Sequence, residues 1–205
     1  MRYVIGIDEA GRGPLAGPVA VGAVLLPEDF DWLLLEGVRD SKQLRPQVRD
    51  SIFEQMQVLE SRGKIRYAVR FSSCDYIDEF GIVSAIRRAL YSAIYALEPQ
   101  VAQSTVLLDG GLRAPREFFD QHTIIRGDET EPVISLASIA AKVLRDRRME
   151  ELSEHYPDYG FDVHKGYATL AHRRAIARHG LSDLHRVSFC SRLRIGPKMQ
   201  QPVHA

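Results

Sequence analysis

The sequence is poor in cysteine and tryptophan and carries no surplus of either charge. Among its 205 residues are two cysteines, Cys74 and Cys190, and a single tryptophan. Two cysteines are too few for a disulfide framework, so we expect buried, reduced thiols and a cytoplasmic protein. The 27 basic residues equal the 27 acidic ones in number. Net charge therefore neither favours nor excludes a nucleic-acid partner.

Long apolar runs are also missing. No run approaches the roughly 20 apolar residues that a membrane-spanning helix needs, and Asp8 interrupts the first apolar segment too early for a signal peptide. We therefore expect no membrane association. A hydrophobic content of 45% with 26% charged residues is typical of a globular protein. The length predicts a single domain over residues 1–205, which we expect to be a monomer.

Apolar periodicity predicts a mixture of strands and helices. Strands are predicted at residues 3–7, 19–26, 65–71, 105–108 and 123–125, the first two as an antiparallel pair. The first predicted helix runs from a cap at Asp40-Ser41 to Gly63, and the second from Ser73 or Asp75 to Leu97 with an interruption at Gly81. The third runs from Pro132 to His155. A loop is predicted at 156–166, and a fourth helix follows it and ends at His179. Because strands come first and then alternate with helices, we predict an α/β domain around a mixed sheet. Residues 156–198 would form a basic, helical C-terminal part.

Acidic residues follow three of the predicted strands. Asp8 and Glu9 follow the first, Asp109 the fourth, and Asp128 the fifth. A lone Asp-Gly is more often a turn than a metal site, but converging carboxylates would repel one another without divalent cations between them. Ligands that are all oxygen favour Mg²⁺ or Mn²⁺ over zinc. Two such ions could clamp the attacking and leaving oxygens of a phosphodiester.

A glycine-rich loop follows the first acidic pair. Adjacent side chains on a strand face opposite ways, so Asp8 and Glu9 reach one site only if the strand ends or bends there, and Gly11 and Gly13 permit a bend. The loop is neither a P-loop nor a dinucleotide fingerprint, because no Gly-Lys-Ser/Thr follows and prolines would break the expected helix. It suits close approach of a sugar–phosphate chain, with Arg12 on a phosphate.

The end of the chain is rich in arginine and histidine. Seven basic residues other than histidine lie between Arg173 and Lys198, opposed only by Asp183. They can form either a solvated face or a phosphate-binding surface. Tyr167 lies in a basic loop, where an aromatic ring can stack on a sugar or a base. The histidines lack zinc spacing, and we expect hydrogen-bonded or exposed side chains at His164, His172, His179 and His185.

Seven motifs follow one another along nearly the whole chain. They are Gly6–Val19 (GIDEAGRGPLAGPV), Asp40–Leu44 (DSKQL), Leu108–Gly110 (LDG), Gly127-Asp128, the pair ASIAAKV at 137–143 and RDR at 145–147, the pair YGF at 159–161 and HKGY at 164–167, and His185-Arg186 with Ser188-Phe189. In sequence and in order they resemble the bacterial ribonuclease HII family.

This resemblance implies an RNase H-like fold with a helical C-terminal extension. It also implies an endonuclease that cuts the RNA strand of RNA–DNA hybrids and cuts 5′ to single ribonucleotides embedded in duplex DNA, leaving 3′-hydroxyl and 5′-phosphate ends. The matching residues would have three roles. Asp8, Glu9, Asp109 and Asp128 would bind two Mg²⁺ or Mn²⁺ ions for catalysis; Gly11, Arg12, Gly13 and Tyr167 would recognise the ribose 2′-hydroxyl; and Lys42 would hold the nucleic-acid backbone.

Two other functions remain compatible with the residues. A proofreading-type 3′ exonuclease also uses four acids and two metals, although its first pair is usually Asp-x-Glu rather than adjacent. A non-catalytic protein that binds RNA–DNA hybrids would need the basic surface without the metal site. A duplex with one internal ribonucleotide separates the three, because only the predicted endonuclease cuts it internally.

Overall fold

A five-stranded mixed sheet forms the centre of the protein. The computed structural model describes residues 2–35, 37–38, 45–191 and 193. The strands are β1 (Tyr3–Ala10), β2 (Val19–Pro27), β3 (Arg66–Ser72), β4 (Ser104–Asp109) and β5 (Gln121–Ile124). They lie in the order β3-β2-β1-β4-β5. The first three strands pair antiparallel, whereas β1 with β4 and β4 with β5 pair parallel. The predicted mixed sheet and its first antiparallel pair are confirmed.

Helices cover both faces of this sheet. They are α1 (Pro46–Ser61), α2 (Cys74–Phe80), α3 (Ile82–Ala96), α4 (Gly127–Thr130), α5 (Pro132–His155), α6 (Phe161–His164), α7 (Leu170–His179) and α8 (Val187–Cys190). The predicted bounds of α5 and the predicted end of α7 are confirmed. The predicted cap at Asp40-Ser41 lies outside the described residues, and α1 begins at Pro46 after Arg45.

The helix α5 packs unusually close to the sheet. A Cβ atom at Gly6 of β1 would lie 2.2 Å from the carbonyl oxygen of Val133, and one at Gly22 of β2 would lie 2.2 Å from that of Ala137. Any side chain at these two positions would therefore push the helix away. Small residues on α5, including the buried Ala140, complete the contact from the other side. The opposite face of the sheet is covered by α3, which buries an alanine- and isoleucine-rich surface there.

The C-terminal part packs against the end of α5 and the glycine loop. A separate apolar cluster joins Leu15 and Met149 to Tyr159 and Phe161. The region predicted as a loop at 156–166 contains a 3₁₀ turn (Pro157–Tyr159) and α6. Burial of both aromatic rings explains this local order. Cys190 in this cluster, like Cys74, is a buried free thiol, as predicted.

Within the described ranges, none of the helices combines the length and apolar character needed to cross a lipid bilayer.

Candidate active site

The strand β1 continues through the acidic pair. Its pairing with β4 stops at Ile7 opposite Leu108, but its ladder with β2 places Asp8 opposite Gly22 and Glu9 opposite Val21. The expectation that the strand ends or bends after Ile7 is therefore wrong, because β2 holds it extended to Ala10. Since side chains alternate along a strand, Asp8 and Glu9 lie on opposite faces of the sheet.

Asp8 is buried on the face covered by α5. Its side chain hydrogen-bonds with Ser138 of α5, and its Oδ1 accepts a 2.7 Å hydrogen bond from the backbone N–H of Glu9. Burial, together with the negative charges of Glu9 and Asp109, raises the pKa of Asp8 to about 7 despite these hydrogen bonds. A carboxylate with so high a pKa is a candidate functional group, because its charge lacks compensation by the protein alone.

Asp109 lies close to Asp8, and Asp128 lies close to Asp109. Asp109 ends β4, and Val106 and Leu108 of that strand pack toward α3, so alternation puts Asp109 on the α5 face. Its Oδ1 accepts a 2.7 Å hydrogen bond from the N–H of Gly127. Burial, followed by the charges of Asp109 and Glu129, raises the pKa of Asp128. The structure thus brings Asp109 next to both Asp8 and Asp128.

Glu9 stands apart from the three aspartates. Its Oε1 pairs with Nη1 of Arg12 at 3.0 Å, and its side chain is only 13% exposed. Among the residues that the structure describes, no three His, Cys, Asp or Glu side chains are close enough to hold a metal ion as they stand. The side chains nevertheless fit a hard divalent cation chemically. Their donors are all carboxylate oxygens, and burial together with the nearby charge of Asp109 raises the pKa of both Asp8 and Asp128.

A buried arginine holds the glycine loop, residues 11–18, from the C-terminal side. Arg186 is fully buried, and its guanidinium donates to the carbonyl oxygens of Gly11 at 2.7 Å, Arg12 at 3.0 Å and Gly17 at 2.8 Å. Burial, and then the charge of Arg145, lowers the pKa of Arg186 to about 10, so the group stays charged at neutral pH. The sequence pattern placed Arg186 on a basic surface, and the structure shows that it belongs to the interior.

A second buried arginine supports the same loop from α5. Nε of Arg145 donates to the carbonyl oxygen of Pro18 at 2.9 Å, and Nη2 donates to that of Lys165 at 3.1 Å. Gly11 has a φ of +87°, and a Cβ there would lie 1.9 Å from Nε of Arg145. Glycine is therefore required at position 11 by conformation and by space. Gly13 differs, because a Cβ there would meet nothing within 4 Å.

Tyr167 lies next to the glycine loop. The N–H of Leu15 donates to the carbonyl oxygen of Gly166 at 2.9 Å, and a Cβ at Gly166 would lie 2.2 Å from the carbonyl oxygen of Ala16. The ring of Tyr167 remains 41% exposed, with Nζ of Lys142 5.5 Å from its centroid. The structure therefore brings Tyr167 together with the Gly11–Gly13 segment. Lys42, the remaining predicted binding residue, lies outside the described residues.

Buried histidines support the backbone of Tyr167. The N–H of Ser182 donates to Nδ1 of His185 at 2.9 Å, which leaves the proton of neutral His185 on Nε2. That proton faces Nε2 of His172 at 3.1 Å, so His172 carries its own proton on Nδ1 and donates it to the carbonyl oxygen of Tyr167 at 2.9 Å. Burial lowers the pKa of both rings to about 4. The prediction that these two histidines are hydrogen-bonded or exposed is confirmed, since both are hydrogen-bonded.

Three supporting residues escaped the sequence reasoning. Ser138, Arg145 and His172 contact or hold the candidate site residues, although the sequence assigned none of them a role at the site. A signal existed for Arg145, because Ala137, Ala141 and Arg145 recur every four residues along α5, and that spacing puts an arginine on the same stripe as the small residues that contact the sheet. An arginine there must be buried.

The family profile described as Ribonuclease HII matches residues 5–192. The chain belongs to the ribonuclease HII family. It is 44% identical over 189 residues to the ribonuclease HII of Nitrosomonas europaea, covering 92% of this chain and 82% of that protein. The fold resembles the ribonuclease H2 of Pyrococcus horikoshii OT3, with a TM-score of 0.70, 26% identity, and coverage of 91% of this chain and 93% of that one. The ribonuclease HII in the PCNA complex from Archaeoglobus fulgidus gives a TM-score of 0.70 and 27% identity, with coverage of 96% and 98%.

These matches confirm the predicted family and the RNase H-like α/β fold. As a ribonuclease HII, the protein is an enzyme, a ribonuclease H of the endonuclease type. The proofreading exonuclease and the non-catalytic hybrid-binding protein therefore lose their support.

Proposed function

We propose that this ribonuclease HII cuts the RNA strand of RNA–DNA hybrids and cuts 5′ to single ribonucleotides embedded in duplex DNA. The products are 3′-hydroxyl and 5′-phosphate ends. One observation carries the proposal. Asp8 is buried, and its pKa is raised to about 7 beside Glu9 and Asp109. It is only three residues from the loop that Arg145 and Arg186 hold. A group suited to phosphodiester hydrolysis and a loop suited to sugar recognition thus share one strand end.

The four acids supply the ligands for Mg²⁺ or Mn²⁺. Asp8 and Asp109, both on the α5 face, would hold such ions together with Asp128 and Glu9. When bound, such ions stabilise the charge that develops on the phosphate and lower the pKa of attacking water. Ser138 and the N–H of Gly127 orient the carboxylates through their hydrogen bonds to Asp8 and Asp109.

Arg12 changes partner when substrate binds. In the free protein its guanidinium neutralises Glu9 at 3.0 Å. The side chain of Arg12 is 54% exposed, so its planar guanidinium can turn from Glu9 to a phosphate oxygen of the substrate and bind it through two parallel hydrogen bonds. The ion pair thus keeps Arg12 near the cut site before substrate arrives.

The segment Gly11–Gly13 and Tyr167 recognise the ribose. The open space at Gly13 lets a sugar approach the backbone, whose N–H and carbonyl groups can hydrogen-bond to a 2′-hydroxyl. The half-exposed ring of Tyr167 packs against the same sugar. Lys42 contacts a phosphate of the duplex.

A DNA duplex with one internal ribonucleotide tests this function. We expect a single internal cut on the 5′ side of the ribonucleotide in Mg²⁺ or Mn²⁺, and none in EDTA. The all-DNA duplex of the same sequence is the control and should stay intact. Degradation from the ends alone would indicate an exonuclease, and tight binding without cleavage in either metal would indicate a binding protein; both contradict the proposal.

We also propose that the enzyme acts as a monomer in the cytoplasm, organised as one catalytic domain over residues 1–205. The apolar contacts of α8 and of Tyr159 with the glycine loop support a single unit. Light scattering on the purified chain should give a mass near 23.1 kDa, and a mass near twice that value would contradict the monomer.

A further inference from the structure

A cavity of about 570 Å³ opens beside the candidate active site. Among the residues that the structure describes, four arginines line it, Arg12, Arg87, Arg113 and Arg116, and no aspartate or glutamate does. Within the described part of the chain, only Arg12 among these four forms an ion pair. The other three guanidiniums project from α3 and from the segment between β4 and β5, so the cavity gathers positive charge from separate elements. An arginine-lined cavity without acids suits an anion, and phosphate above others.

The segment between β4 and β5 is held in place by side chains of β5. Oε1 of Gln121 accepts from the N–H of Ala114 at 3.0 Å, and its Nε2 donates to the carbonyl oxygen of Phe118 at 2.9 Å. Thr123 donates to the carbonyl oxygen of Leu112 at 3.2 Å. Because these bonds fix the backbone that carries two of the arginines, a ligand does not have to order that backbone on binding.

The cavity is continuous with the candidate active site at two points. Arg12, which lines it, is also the ion-pair partner of Glu9, and Gly111, another lining residue, follows Asp109 by two positions. An anion in the cavity therefore lies next to the proposed cut site. Besides Gln121 and Thr123, the rest of the lining is apolar or aromatic, with the half-buried Tyr91 on α3, which suits a sugar or base beside a phosphate.

Building on the proposed function, we propose that this cavity binds phosphates of the strand that is cut, on one side of the ribonucleotide. It would extend the substrate footprint past the residues that recognise the 2′-hydroxyl. A free nucleotide offers the same phosphate chemistry, but the continuity through Arg12 favours the strand.

Binding of a duplex with one ribonucleotide tests the cavity in EDTA, where no cleavage occurs. In fluorescence anisotropy, Arg87→Gln/Arg113→Gln should raise Kd about tenfold and reduce the slope of log affinity against log salt by roughly two, one unit for each lost phosphate contact. The control Arg62→Gln/Arg66→Gln removes equal charge at the opposite edge of the sheet, near β3, and should match wild type. Equal salt slopes in the two double variants would overturn the proposal.

Shortened duplexes locate the contact on the strand. When the DNA flank of the cut strand is trimmed on either side of the ribonucleotide, wild type and control should lose affinity from one side only. The Arg87→Gln/Arg113→Gln variant should be insensitive to that trimming, because the contact is already gone. If this variant still loses as much affinity on trimming as wild type does, the proposal is overturned. It is also overturned if the duplex displaces a fluorescent mononucleotide from the cavity but its affinity does not depend on either flank.

Failure of this proposal can be distinguished from failure of the proposed function. Internal cleavage at the ribonucleotide, with kcat within about twofold of wild type at saturating substrate, should persist in the double variant. If cleavage is present but flank dependence is absent, only the cavity proposal fails. If wild type shows flank-dependent binding in EDTA but never cuts internally in Mg²⁺ or Mn²⁺, only the proposed function fails.

Discussion

Two neighbouring regions of this ribonuclease HII bury charge in opposite ways. Beneath the glycine loop, the guanidinium of Arg186 donates to three carbonyl oxygens, and His172 and His185 are neutral and bonded on both nitrogens. Around the ends of β1 and β4, burial and neighbouring carboxylates instead raise the pKa of Asp8 and of Asp128. In the first region the protein supplies hydrogen-bond partners for these buried side chains, so we call it satisfied. In the second region, which we call not satisfied, neighbouring carboxylates oppose one another's charge. Rigid support therefore lies directly beside a site that a cation would stabilise.

The largest effect should come from the region that is not satisfied. Asp109→Asn should lower cleavage at least ~1000-fold while leaving duplex binding in EDTA unchanged, since it removes a proposed metal ligand but keeps an oxygen for the N–H of Gly127. Single-turnover cleavage and fluorescence anisotropy measure the two quantities. Glu129→Gln, an exposed acid beside Asp128, is the matched control and should retain activity.

A metal-binding readout separates this role from a purely structural one. Differential scanning fluorimetry should show that Mn²⁺ raises the melting temperature of wild type and of Glu129→Gln, but raises that of Asp109→Asn much less. Equal shifts in all three proteins, or activity in Asp109→Asn near that of wild type, would remove Asp109 from the metal site.

The second effect tests the satisfied region. Arg186→Gln should cost about 3–5 kcal/mol of unfolding free energy, because it leaves carbonyl oxygens of the glycine loop buried without donors. Urea unfolding measures this cost. Arg178→Gln removes an exposed arginine from the same basic stretch and should change stability by less than about 0.5 kcal/mol. If both variants lost the same small amount of unfolding free energy, Arg186 would belong to the solvated face that the sequence also allowed.

The fold was largely predictable because apolar periodicity reports burial directly. The helix α5 has the predicted bounds, since Pro132 starts it and its small residues mark the face in contact with the sheet. β5 lies at Gln121–Ile124 rather than at residues 123–125. In this strand, the side chains of Gln121 and Thr123 bond to the preceding segment instead of packing in the core, so hydrophobicity marks its register poorly.

The candidate site was only partly predictable, because its support comes from distant parts of the chain. The carboxylates could be found at strand ends, but the register with β2 that puts Asp8 and Glu9 on opposite faces has no local signature. Arg186 bonds to Gly11, 175 residues away. A charge run near the C-terminus cannot reveal carbonyl partners at the N-terminus.

A smaller effect is expected where the two regions meet at Tyr167. Tyr167→Ala should lower cleavage at an isolated ribonucleotide about tenfold, because one ring contact with the sugar is lost, and should affect a continuous RNA–DNA hybrid less. Initial rates on the two substrates give the ratio. Tyr167→Phe keeps the ring and should therefore retain most of the wild-type ratio between cleavage at an isolated ribonucleotide and cleavage of the continuous hybrid. Wild-type rates for Tyr167→Ala on both substrates would show that the ring does not read the junction.

The smallest effect concerns the protonation of the histidines beneath Tyr167. The pKa of His172 falls from 6.5 to about 4 on folding, so its stabilising contribution is complete above pH 6.5 and is lost as the pH falls toward 4. His172→Asn keeps an N–H for the carbonyl oxygen of Tyr167 and removes the titration. Between pH 7 and pH 5, its unfolding free energy should therefore fall about 2 kcal/mol less than that of wild type. The exposed His155→Asn should follow wild type, and a pH slope for His172→Asn equal to that of wild type would show that His172 takes up no extra proton on unfolding.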